Sequence, residues 1–306
     1  MRGRDFLSIR DLSPEELQRL VSCAAEWKAR AGTEERRVPL RGKSVALVFE
    51  KPSLRTRTTF EVAMYQLGGL AVYLGPQDIQ MGSRETPADV ARNLERWVDG
   101  IVVRTFGQAT AVTLASHSRV PVINALSDWE HPCQALATLL TIQERFGRLQ
   151  GLRLAWIGDG NNMLRSLVYG LPRLGVSIAI ATPEEYGLDA ETLRLGRMFG
   201  EQGGGSLEVG EDPAAAVRGA DVIYTDVWTS MGQEATAADR RRVFHPYQVN
   251  AALLALAPDH AVVTHCLPAH RGEEITDEVL DGPRSLAFDE AENRLHTQKA
   301  LLAEVL

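Results

Sequence analysis

Short aliphatic, β-branched runs alternate with amphipathic helical patterns along the whole chain, and the cycle runs twice. The first set of runs is SVALVF (44–49), LAVYL (70–74), GIVVR (100–104) and PVIN (121–124). The second is LRLAWIG (152–158), VSIAIA (176–181), ADVIYTD (220–226) and HAVVTHC (260–266). Strands joined through helices pair in parallel, and parallel sheets are covered by helices on both faces. The expected fold class is therefore α/β, with two domains, each a mainly parallel sheet flanked by helices. A junction near 150–151 gives domains over 1–150 and 151–287. A last helix over 288–306 carries Ala291, Leu295, Leu302 and Val305 on one stripe, and is expected to pack back on the first domain.

Helix signals support this division. In SPEELQRLVSCAAEWKA, Ser13 is the cap, Pro14 opens the first turn and Glu16 stands at the capping-box position. Phe60, Ala63, Met64 and Leu67 recur at helical spacing, and Leu136, Leu139 and Leu140 form the inward face of a helix over 131–146. The glycines at 203–205 read as a flexible surface turn.

A net charge of -7 over 306 residues argues against a nucleic-acid or membrane-surface role, so any anion site must be a local basic pocket. Three cysteines, Cys23, Cys133 and Cys266, with no CxxC pair make neither a disulfide framework nor a zinc ribbon. The first residues, MRGRDFLSIRDLS, contain no apolar h-region, and no apolar run approaches a membrane span. These features fit a reduced, cytoplasmic protein.

The stretch EKPSLRTRTTFE (50–61) is a turn opening a helix. Pro52 keeps Lys51 out of the helical region, and Ser53 is a plausible cap. The first-turn N–H groups at 54–56 have no intrahelical partner, and the helix dipole favours an anion before them. Thr56 adds a hydroxyl, while Arg55 and Arg57 add permanently charged forks suited to phosphate. The segment is thus a phosphate cradle without a Walker sequence. The plain alternative is a capped surface helix with solvated arginines.

Further donors stand at other strand ends, where open α/β sheets bind ligands. Arg104 closes GIVVR. His131 precedes Pro132 at a helix start, with Gln134 two residues further on. Cys266 follows a buried-looking strand, as either a packed small side chain or a reactive thiol. In WIGDGNNM the third glycine of a dinucleotide fingerprint is missing; Glu184 and Glu185 fall in a turn rather than at a ribose position. Asn161 and Asn162 instead crown a helix N-terminus suited to a carboxylate. In DVWTSMGQE, Asp226 can hold an ammonium, and the loop at 230–232 could close over a ligand. No His, Cys and carboxylate group has metal spacing.

Together, SLRTR, HPCQ, DVWTSMGQE, HCLPAHRGEE and FDEAENR resemble the aspartate/ornithine carbamoyltransferase family, in family order over residues 50–300. The SxRTR motif is shared across carbamoyltransferases, whereas the last three segments are similar to its ornithine branch. The resemblance implies carbamoyl transfer from carbamoyl phosphate to the δ-amine of L-ornithine, without cofactor or metal. It implies that Ser53, Leu54, Arg55 and Thr56 bind phosphate and that Arg57 supports the same loop. Arg104, His131 and Gln134 would hold the phosphate and the carbonyl oxygen. Arg294, Cys266 and Leu267 would complete the carbamoyl pocket. Asn162, Asp226, Ser230 and Met231 would bind ornithine. Cys266, Arg104, His131 and Asp226 would carry the chemistry. Catalytic trimers, or larger assemblies of trimers, are implied too, with Gln80 reaching into the neighbouring subunit's site.

One departure is Leu54, where the family often has Thr. A backbone N–H contact survives that change and a hydroxyl contact does not. Transfer to another amine (aspartate, putrescine or an acylated ornithine) is the alternative within the enzyme class. A non-catalytic sensor of phosphate ligands is the alternative from another class.

Overall fold

The structure, a computed structural model, describes residues 1–32 and 37–306. The chain forms two compact units: residues 1–140 with 292–306, and residues 141–291. The first division falls inside the helix Pro132–Phe146, earlier than the junction expected near 150–151. Among the described residues no helix is long and apolar enough to cross a membrane.

Unit 1 holds a four-stranded parallel sheet in the order β2-β1-β3-β4, with β1 Ser44–Phe49, β2 Leu70–Leu74, β3 Gly100–Arg104 and β4 Val122–Leu126. β3 is buried along its full length and β1 in all but its first residue, as expected for central strands covered on both faces. On one face Ala46, Val48, Ile101 and Val103 pack with Val90, Ala91, Leu94, Ala111 and Leu114. The helix Pro14–Ala29 starts with the expected reciprocal cap, Ser13 accepting from Glu16 N while Glu16 accepts from Ser13 N.

The last helix runs Ala287–Val305, and from Glu292 onward it belongs to unit 1. It is buried more completely than its apolar stripe suggests. Ala300, Leu301, Leu302 and Val305 are buried, but so are Asn293, Arg294, His296 and Gln298, while Ala291 and Leu295 are only half-buried. Two of these polar side chains are held by hydrogen bonds: Asn293 Oδ1 accepts from Lys28 Nζ at 2.8 Å, and Arg294 donates to Gln134 and Thr56.

Unit 2 holds a five-stranded parallel sheet in the order β7-β6-β5-β8-β9: β5 Arg153–Ile157, β6 Ser177–Ala181, β7 Leu207–Gly210, β8 Val222–Thr225 and β9 Val262–His265. Ala155, Ile157, Ile223 and Val263 build one core face with Trp228, Phe244 and Tyr247. Trp156 and Tyr224 stack at 5.2 Å between ring centres.

β7 was not expected from sequence. It is a short, largely exposed edge strand, so it lacks the apolar run that marks the others. The glycines at 203–205 form the expected surface turn, with Gly204 exposed. A side chain on Gly203 would meet Arg173 O at 2.4 Å, and one on Gly205 would meet Val176 O at 2.5 Å. Gly204 ends the helix Ala190–Gly203 in a left-handed conformation, φ 84°, its N–H donating to Gly200 O, while its two neighbours pack closely on backbone.

Candidate active site

In each sheet the strand order reverses once, between β1 and β3 in unit 1 and between β5 and β8 in unit 2. The carboxyl ends flanking such a reversal are where an open α/β sheet binds ligands. The expected site residues fall at these two places.

In unit 1 the register sets Phe49 beside Arg104, and Arg104 beside Leu126, so three strands end level. The turn after β1 leads into the helix Leu54–Gln66, with Ser53 as its cap, accepting from Thr56 N at 3.1 Å. After β4, His131 precedes the helix Pro132–Phe146. Arg294 closes the group from the last helix. It is 1% exposed, donates to Gln134 Oε1 at 2.5 Å and donates to Thr56 Oγ1 at 3.1 Å. Thr56, Arg104, His131 and Gln134 are all buried.

The electrostatics are those of an anion site. Burial, then the charges of Arg294, Arg104, Arg55 and Lys51, hold His131 well below the usual histidine range. The imidazole is therefore neutral at physiological pH, one nitrogen donating and the other accepting. Lys51, which sequence reasoning passed over, is buried, with Nζ 4.4 Å from the centre of the Phe106 ring. Burial and Arg104 lower its pKa. Its only sequence signal was its place beside Pro52.

Not every expected residue joins this group. Arg57 points its Nε at Glu61 Oε1, 3.0 Å away, and its guanidinium covers the Tyr73 ring at 3.7 Å. Leu54 is 76% exposed, leaving its backbone N–H as its contribution to the helix N-terminus. Gln80 is exposed in a left-handed conformation, φ 51°, on the rim of a cleft of about 410 Å³ bordered by Glu50, Gly75 and Phe106.

In unit 2, Asp226 leaves the end of β8 and is buried. Its Oδ1 accepts from Cys266 Sγ at 2.9 Å and from Val227 N at 2.8 Å; its Oδ2 accepts from Asn161 Nδ2 at 2.7 Å. Asn161 also caps the helix Asn162–Gly170, accepting from Met163 N and Leu164 N. Asn162 is the first residue of that helix. Gly160 has a packing role: a side chain there would meet Tyr186 O at 2.4 Å. The loop after Asp226 is folded by its own polar groups, Ser230 N donating to Gln233 Oε1 and Gly232 N to Glu234. Met231 is 47% exposed.

Leu267 N donates to His265 Nδ1 at 2.8 Å, so the ring proton sits on Nε2, 3.2 Å from Glu274 Oε1. Both side chains are fully buried. The pair braces the turn in which Leu267 takes a left-handed φ of 56°, costly for a branched side chain. Asp226, His265 and Cys266 bring three potential metal-ligating atoms within 4.8 Å of one another, a grouping that sequence spacing did not show. With Nδ1 accepting from Leu267 and Nε2 facing Glu274, both ring positions of His265 are engaged, so the grouping is the meeting of two separate hydrogen-bonded pairs, Cys266 with Asp226 and His265 with Glu274.

Profiles for the two halves of one family match this chain. The carbamoyl-P binding domain of aspartate/ornithine carbamoyltransferase covers residues 4–144, and the Asp/Orn binding domain covers residues 150–305. The chain belongs to the aspartate/ornithine carbamoyltransferase family. It is 49% identical over 306 residues to the ornithine carbamoyltransferase of Thermococcus kodakarensis, covering 100% of this chain and 97% of that one. It is 52% identical over 303 residues to that of Gloeobacter violaceus, covering 99% and 95%. The solved ornithine carbamoyltransferase of Pyrococcus furiosus matches with a TM-score of 0.97 at 48% identity, covering 99% and 97%.

Within this family assignment, the residues that sequence reasoning left aside are Lys51, His265 and Glu274, each in contact with or close to expected site residues. His265 and Glu274 gave no separate signal, because His265 closes an apolar run and Glu274 sits in a charged loop.

Proposed function

We infer that the chain transfers the carbamoyl group of carbamoyl phosphate to the δ-amine of L-ornithine, giving L-citrulline and phosphate. The observation that carries this reading is the Asn161–Asp226–Cys266 network at the switch point of unit 2. It offers a buried carboxylate and a thiol to an amino-acid amine, which a phosphate sensor would not need.

The amine sets the chemical problem. With a reference pKa of about 10.4 for a lysine-like amine, deprotonation at pH 8 costs roughly 3 kcal/mol. Only the free amine attacks. Asp226 orients the ammonium, and Cys266, hydrogen-bonded to that carboxylate, relays the ammonium proton out to solvent. The amine nitrogen then bonds to the carbamoyl carbon, and the carbonyl pair moves onto oxygen. His131, Arg104 and Thr56 stabilise that oxyanion as preorganised donors. The carbonyl re-forms as the C–O bond to phosphate breaks, and the proton lost by the newly bonded nitrogen passes to the departing oxygen, so phosphate leaves as the hydrogen-phosphate dianion among Arg55, Arg104 and the helix N-terminus. Ser53, Leu54 and Thr56 contribute backbone N–H or hydroxyl donors there, and Gln134 is oriented by Arg294. Asn162, Ser230 and Met231 take the amino-acid end of ornithine.

The same reading makes the protein a cytoplasmic enzyme of arginine metabolism, assembled as a homotrimer or as several trimers. The trimer is supported by exposed apolar side chains on two neighbouring elements of unit 1. Leu54 and Tyr65 stand out from the helix Leu54–Gln66, and Leu70 and Val72 from the edge strand β2. Gln80 and its rim then belong to the neighbouring subunit's site.

The test is citrulline formation from carbamoyl phosphate and L-ornithine, beside putrescine, N-acetylornithine and aspartate. Turnover with ornithine alone is expected. Turnover only with another amine would overturn the specificity, and carbamoyl phosphate binding without turnover would make the chain a sensor.

A further inference from the structure

The two loops assigned to ornithine leave β5 and β8, one on each side of the reversal in unit 2. One side chain outside both loops touches both. Arg240, in the helix Ala237–Phe244, donates from Nε to Trp228 O at 2.6 Å. Its Nη2 lies 2.7 Å from Asp159 Oδ2, with the two side chains 8% and 7% exposed. The guanidinium also lies over the Tyr186 ring, 4.7 Å from its centre.

Both contacts fall close to the expected ornithine residues. Asp159 stands two positions before Asn161, whose side chain holds Asp226. Trp228 lies midway between Asp226 and Ser230. Arg240 therefore grips each loop beside its binding residues while occupying neither loop.

A buried ion pair is a poor device for stability alone, because well-packed apolar residues of similar size often do as well. What a guanidinium supplies is a rigid fork with two fixed donor directions. Here one direction meets a backbone carbonyl of the β8 loop, and the other meets a carboxylate of the β5 loop. A lysine ammonium in the same place could neutralise Asp159 but could not hold both directions.

We propose that Arg240, paired with Asp159, is a positioning residue for the amino-acid substrate: it locks the loop of Asp226, Ser230 and Met231 against the loop of Asn161 and Asn162. This rests on the assignment of ornithine to unit 2 made above. Carbamoyl phosphate is assigned to the other unit, so the two substrates should respond differently to loss of the lock.

The experiment compares wild type with Arg240→Lys, Asp159→Asn and the double variant. It measures KM for each substrate, kcat and Tm. The wild-type reaction with ornithine tests the assignment itself; if another amine is the substrate, its KM takes ornithine's place in the comparison. The expected result is a rise in ornithine KM of about tenfold or more in each single variant, with carbamoyl phosphate KM within about twofold. The double variant should be no worse than the worse single one, because the two residues act as one lock. An unchanged ornithine KM in a folded Arg240→Lys protein would overturn the proposal. So would equal rises for both substrates, which would mark a general structural defect. Arg240→Lys is the mild change; if it alone fails to fold, the near-isosteric Asp159→Asn decides by the same criteria.

Discussion

The Sγ of Cys266 stands 2.9 Å from Asp226 Oδ1, while the other oxygen of that carboxylate is held by Asn161. Under the proposed mechanism, this thiol, donating to a carboxylate held at both oxygens, is the proton path. Cys266→Ser keeps a donor of similar shape but replaces a thiol of reference pKa about 8.5 with a hydroxyl that does not titrate in the working range. It should lower kcat and flatten or shift the alkaline limb of the pH profile. An unchanged profile would remove the thiol from proton transfer.

Arg55 and Arg57 should behave differently, although the sequence presents them as a pair. Arg55 is one of the charges that depress His131, whereas Arg57 is committed to Glu61 and Tyr73. A hydrogen bond to a charged group contributes about 1.5–3 kcal/mol, so Arg55→Ala should lose roughly 10- to 100-fold in kcat/KM for carbamoyl phosphate. Arg57→Ala should lose less. Steady-state kinetics on both variants would decide it, and equal losses would return Arg57 to the cradle.

How far the sequence announced all this depends on how local each signal was. The central strands were legible because burial on both faces writes them as unbroken apolar runs; exposed β7 was not. The cradle was legible because a cap, a helix start and two arginines fall within a few residues. Arg294 was expected only through family resemblance, since its partner Thr56 lies 238 residues away. The Arg240–Asp159 pair was missed for the same reason, whereas His265 and Glu274 are near in sequence but read only as the end of an apolar run and part of a charged loop. In sequence, Arg240 opens RRRVF and reads as part of a solvated charge run; its partners are set by the fold.

Arg294, Arg104, Arg55 and Lys51 all act on His131 to lower its pKa, so an anion bound among them should stabilise unit 1. A ligand at about 100 times its Kd adds about 2.7 kcal/mol to stability. Inorganic phosphate and carbamoyl phosphate should therefore both raise Tm, measured by calorimetry. Arg294→Met should remove much of that increment, because it frees Gln134 and Thr56 from their fixed positions. A rise of the same size in the variant would separate Arg294 from anion binding.

Stability should fall in mild acid. Burial pushes the His296 imidazole down to about 4, with Lys299 and Lys28 acting in the same direction and Glu292 opposing. The unfolded chain binds this proton near the ordinary histidine value, so the contribution is complete above about pH 6.5 and is lost as pH falls towards 4. The full loss is on the order of 3 kcal/mol. His131 acts with the same sign. Asp159 acts with the opposite sign, because burial raises its carboxyl to about 6 and its protonation below that favours the folded form. His296→Gln should flatten the fall of Tm between pH 6.5 and 4; a slope equal to that of wild type would refute the assignment.

Leu54 gives the sharpest separation of binding from assembly. Its side chain is 76% exposed at the first position of the helix, where only the backbone N–H faces the expected phosphate. Surface substitutions usually change stability by less than about 0.5 kcal/mol, so Leu54→Thr should fold normally. If the phosphate is held by the backbone, the variant should keep its carbamoyl phosphate KM within about threefold. Because the apolar side chain belongs to the proposed subunit contact, the same change should also weaken association in sedimentation at low protein concentration. A large gain in carbamoyl phosphate affinity with unaltered association would reverse both assignments, because the added hydroxyl would then be supplying a phosphate contact that the leucine lacks.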